Sequence, residues 1–147
     1  MSDDVQFRIG NRETEHIVVR VLGRERSEAK DYWDGNWVDA RVRVAAGGFR
    51  GELGGALRTE GFVRLRNQLR LLGDDPAGNA KFETMEDWLS IAIVGDGKGH
   101  FHAACAAVDV RTANRLTFGL DFDQAELPEI LCGLDAVCEA WPVVGKP

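Results

Sequence analysis

The sequence predicts an α+β domain. Its core is one curved antiparallel sheet of about six to eight strands, with two helices packed on one face in the order strands, helix, strands, helix. Three observations lead there. Several short stretches alternate apolar and polar residues at period two, as strands with one wet face do. Two longer stretches carry their apolar residues at helical spacing. There are too few strand-helix alternations for a parallel sheet.

Taken in order, VQFRI at 5–9 supplies an edge strand. Ile17, Val19 and Val21 then alternate with His16, Val18 and Arg20. In DYWDGNW, Asp34, Gly35 and Asn36 form a turn signal flanked by aromatics. Val38, Ala40, Val42 and Val44 alternate with Asp39, Arg41 and Arg43; after Gly47 and Gly48, Phe49, Gly51 and Leu53 alternate with Arg50 and Glu52. This is two strands, or one strand bent at a glycine bulge. Thr59 is placed to cap a helix through about residue 72, whose stripe is Phe62, Leu65, Leu69 and Leu72. GDDPAGN ends it. Three further strands centre on residues 89–93, 101–107 and 116–122. A last helix carries Leu127, Ile130, Leu131, Leu134, Val137, Cys138 and Trp141 on one stripe, turns Cys132 outward, and stops at Pro142. No sequence repeat is visible.

A chain of 147 residues fits one domain, 1–147. No apolar run reaches the ~20 residues of a spanning helix, and MSDDVQF lacks a signal-peptide pattern, so no membrane association and a cytoplasmic location are expected. Three cysteines without a CxxC pair fit a reducing compartment. The net charge of −6 is unevenly spread. Residues 121–147 hold six acids and one lysine, which gives −5, and leaves −1 for the rest. Such acidity disfavours nucleic acid and favours a basic partner, beside the plainer role of keeping a protein soluble.

GDGKGHFH, 95–102, is the stretch most open to a chemical reading. As a phosphate cradle it lacks the following helix, and Asp96 would repel the anion. As a metal site it needs His100 and His102 to meet His16, the third histidine, on a neighbouring strand. As a hairpin it needs only residues that tolerate positive φ, and that reading is favoured. Ser90 lies in a strand and not on a nucleophile elbow. Cys132 sits on an acidic helix face, which raises a thiol pKa. Glu83, Glu86 and Asp87 read as a solvated loop. No catalytic residue, metal or cofactor is assigned.

The phrases YWDGNW, GGFRGEL, FETMEDWLSIAIVGDGKGH, FGLDFDQAELPEI and WPVVG together resemble the WapI-like immunity protein family. The resemblance covers about residues 31–147 and leaves 1–30 outside it. It implies a small bacterial protein that neutralises the toxin domain of a contact-dependent toxin, with no catalytic residues to carry over. Joined to the charge pattern, it points to a basic cognate toxin occluded by an acidic helix face bearing Glu126, Glu129, Asp135 and Glu139.

Two alternatives stand beside it. One is a ligand-binding domain or enzyme with a pocket on the concave sheet face, near Tyr32, Trp33, Trp37, His100 and His102. The other is a structural homodimer joined through exposed apolar residues such as Val18 and Trp88.

Overall fold

The computed structural model describes residues 5–147, so most of the MSDDVQF start lies outside it. Among the described residues, eight strands form two four-stranded antiparallel sheets. Sheet one runs β1 (Val5–Arg12), β2 (Glu15–Arg24), β3 (Trp37–Ala46), β4 (Phe49–Arg58), with a one-turn helix α1 (Tyr32–Gly35) between β2 and β3. Helix α2 (Thr59–Asp74) follows. Sheet two runs β5 (Asn79–Glu83), β6 (Leu89–Gly95), β7 (His100–Asp109), β8 (Asn114–Asp123), and a single 3-10 turn leads into α3 (Leu127–Ala140). Four strands and a closing helix thus occur twice, without any repeat in the sequence.

The single curved sheet is therefore corrected to two. Every strand of both halves has an apolar face, and two helices cannot cover eight strands, so the two sheets cover each other. Val19 and Val42 of sheet one, Ile91 and Ala103 of sheet two, and Leu65 and Leu134 of the helices belong to one buried cluster. The concave pocket expected on the sheet is filled by this core. Helix α3 lies against β1, α2 against β5, and the helices touch each other.

Local chemistry accounts for the other departures. The strand β5 takes in Glu83, expected in a loop, and carries little sequence signal because its two inward residues, Ala80 and Phe82, are too few to display a period. Thr59 does not cap α2; Arg58 holds that position, and the Thr59 hydroxyl donates to Asn36 Oδ1 at 2.8 Å. Gly47 and Gly48 make the tight turn of a β3–β4 hairpin, Gly47 at φ +64°.

Val18 and Trp88, expected on wet faces, are 4% and 1% exposed. Trp88 follows a turn in which Asp87 takes φ +56°, so it escapes the alternation of the strand behind it. Its backbone N–H donates to Thr84 Oγ1, and its indole N–H crosses to sheet one and donates to the Ala56 carbonyl at 2.9 Å. The neighbouring Gly55 makes room, since a Cβ there would stand 2.6 Å from the indole ring.

Candidate functional site

The four acids proposed for a binding face are distributed around α3. Glu126 accepts the Asp123 N–H at 2.8 Å and completes a capping box at the 3-10 turn. With Glu129 it borders a groove of about 360 Å3 between α3 and β1, whose other wall includes Gln6, Arg8 and Asn11. Asp135 turns the other way and accepts from Arg70 Nη2 at 2.8 Å, with Arg66 at 3.9 Å. Glu139 is exposed. The helix thus presents Glu129 and Glu139 to solvent, with Glu126 at one flank and Asp135 neutralised at the other.

The aromatic residues and the histidines do not share a pocket. Tyr32, Trp33 and Trp37 surround the Arg58 guanidinium, whose carbon lies 5.3, 5.6 and 4.9 Å from their ring centroids. Arg58 is 6% exposed, donates to the carbonyls of Tyr32 and Trp33, and pairs with Glu60. The cage is occupied from within by the protein's own cation.

His102 lies on the outer face of sheet two, where its Nδ1 is 2.7 Å from Asp121 Oδ1. It borders a shallow groove floored by small residues including Ala104 and Gly119.

GDGKGHFH is the β6–β7 hairpin. Asp96 Oδ1 accepts the backbone N–H groups of Lys98 and His100, and its Oδ2 meets His100 Nδ1 at 3.0 Å. The bond from the Lys98 N–H, helped by those from His100, lowers the Asp96 pKa from its ordinary value. Gly97 and Gly99 take φ +81° and +96°. His16 belongs to β2 in the other sheet, so the three histidines do not converge; no metal-ligating cluster occurs among the described residues.

Cys132 is exposed, as its helical position implied, while burial raises the Cys105 thiol to about 12 and also raises Cys138. Ser90 sits within β6, and Glu83 of β5 pairs with Lys81 at 2.8 Å.

Two residues missed in the sequence organise the end of the molecule around α1. One is Arg58, which no local signal marks. The other is Asn36, fully buried and fully satisfied. Its amide donates to the carbonyls of Tyr32 and Val144, both at 2.9 Å; its oxygen accepts from the Thr59 hydroxyl and the Val144 N–H, both at 2.8 Å. The motifs YWDGNW and WPVVG are therefore partners in space.

A family model described as the immunity protein WapI-like family matches residues 8–142. The match takes in β2 and, from Arg8 onward, β1, which the motifs themselves do not reach. No curated protein matches. Among solved structures, one similar chain comes from a guide-RNA-binding protein complex bound to a guide RNA, at 14% identity and TM-score 0.50, covering 91% of this chain and 89% of that one. Another comes from the crystal structures of Trypanosoma bruciei MRP1/MRP2, at 14% identity and TM-score 0.48, covering 93% and 83%. At this identity the first likeness is one of fold.

Proposed function

The chain belongs to the WapI-like immunity protein family, and from that premise we propose that it is a binding protein, not an enzyme, that neutralises a cognate toxin domain in the cytoplasm by occlusion. The family match over residues 8–142 is the observation that carries the reading. The acidic surface of α3 supports it. A basic toxin surface approaching Glu129 and Glu139 is attracted before contact, and the rigid helix then covers the residues beneath it. Asp135 contributes less, because Arg70 already holds it. Among the described residues no helix is long and apolar enough to cross a membrane.

The test is whether a toxin domain is encoded beside this protein and whether the two bind. The expected outcome is a stoichiometric complex that abolishes toxin activity. Glu129→Lys with Glu139→Lys should slow association, and added salt should shrink the difference. A complex whose affinity and association rate ignore both reversals would remove α3 from the interface. Absence of any complex would overturn the toxin reading itself.

A further inference from the structure

The outward face of sheet one carries a field of arginines that the acidic composition conceals. Arg8 of β1, Arg20 of β2, Arg41 and Arg43 of β3 and Arg50 of β4 all project from it and are exposed. Asp39 and Glu52 share the face, so five positive charges against two negative leave +3, and the remainder of a −6 chain holds −9. Charge is therefore sorted by surface.

The strand register packs these groups closely. Arg20 stands opposite Arg41, and Arg43 stands between Val18 and Glu52. Val18 is buried among them and gives the field an apolar floor. The side chains of Arg41, Arg43 and Arg50 make no ion pair or hydrogen bond with another described residue.

Toward the β1–β2 turn the face deepens to a groove of about 540 Å3 lined by Arg8, His16, Arg43 and Arg50, with Glu13 and Glu52 on its border. The groove is built, not incidental. His16 is 6% exposed and its Nδ1–H donates to the Arg12 carbonyl at 2.9 Å, while Arg8 Nε donates to the Gly10 carbonyl at 2.8 Å. These bonds hold both side chains against the backbone bulge of β1.

We propose that this face docks the acidic face of a helix on a partner protein. Arg41 and Arg43 are two residues apart on one strand, about 6.7 Å. Carboxylates four residues apart on a helix are about 6 Å apart along its axis. Each guanidinium is a planar fork suited to a carboxylate.

A nucleic-acid strand fits less well. Binding of that kind stacks bases on aromatic rings, and among the described residues no aromatic stands between the arginines on this face. On β3 the nearest ring on this face, Trp37, lies beyond Asp39 and is turned to Arg58. The face shares Arg8 with the groove beside α3 but none of Arg41, Arg43 and Arg50, so either proposal stands if the other falls.

The experiment uses the full chain and three labelled probes followed by fluorescence anisotropy at low salt. The first is an alanine-based helical peptide with glutamates at every fourth position. The second has the same composition with the glutamates spread around the helix, and the third is a single-stranded RNA of equal charge. The first peptide should bind best. Arg41→Glu with Arg43→Glu, or Arg50→Glu alone, should weaken it, the double variant by about tenfold. Arg64→Glu on the exposed face of α2 should leave it unchanged.

Equal binding of the two peptides, or indifference to the reversals on the sheet, would overturn the proposal. Tighter binding of the RNA would assign the face to nucleic acid instead. Salt-sensitive self-association abolished by the same reversals would assign it to a second copy of this chain.

Discussion

Replacing Arg58 by methionine removes the cation inside the aromatic cage while keeping a side chain of similar reach. Two acceptors, the Trp33 carbonyl and the Glu60 carboxylate, lose the bond from Arg58, and the Tyr32 carbonyl is left with the one from Asn36. Glu60 is poorly placed to recover, since its Oε2 is already buried without a partner among the described residues. Removing one member of a buried ion pair costs ~3–5 kcal/mol. The Glu60 side chain is 15% exposed, so the lower end, about 3 kcal/mol, applies.

Glu60→Gln keeps an acceptor for Arg58 and removes only the charge, at about 1–2 kcal/mol. The double variant buries no charge, so its cost should be close to that of Arg58→Met alone and about 1–2 kcal/mol below the sum of the singles. Urea titration followed by tryptophan fluorescence measures all four proteins. With m near 2 kcal/mol/M, Arg58→Met should lower the midpoint by about 1.5 M. Additivity within ~0.5 kcal/mol, or a single-variant loss below ~1 kcal/mol, would refute the account of Arg58 as a buried cation paired to Glu60.

Two smaller tests concern the core. Gly55→Ala should destabilise by ~1–3 kcal/mol and shift tryptophan emission, because the new methyl meets the Trp88 ring, whereas Gly23→Ala, which meets nothing within 4 Å, should spare the emission. For Cys105, burial raises the thiol from 9.0 to about 12, so the fold favours the protonated form. The stability this supplies is whole below pH 9 and is lost as pH rises toward 12, at up to ~1.4 kcal/mol per pH unit. Cys105→Ala should flatten that part of the stability profile, and an unchanged slope would assign the alkaline loss to other groups.

What could be read from the chain depended on how local the signal was. The alternation of β3 and β7 and the apolar stripes of α2 and α3 are properties of ten to sixteen consecutive residues, and they located those elements. The partition into two sheets is a long-range choice. An inward valine is the same in a curved sheet as in one of two facing sheets, so the period could not decide between them. Trp88 departs from its expected wet face because a turn resets the phase of alternation.

The surface shows the same limit. Arg41 and Arg43 were visible as the wet side of one strand, but their meeting with Arg8, Arg20 and Arg50 depends on pairing between strands. The cage of Tyr32, Trp33 and Trp37 was visible as a cluster, but not its occupant, which enters from β4.

Asn36 bears on whether the two copies of the four-strand plan are separable modules. It lies in the first, yet two of its four hydrogen bonds go to Val144, 108 positions along the chain and beyond the second. A fragment ending after α2 would bury an amide with half its bonds unmade, or open the end of sheet one to water to hydrate it. Circular permutation preserves the clasp, because both segments that form it remain in the molecule. Bisection between α2 and β5 preserves it only if the halves reassociate, so Asn36 makes the first half's completion conditional on the second.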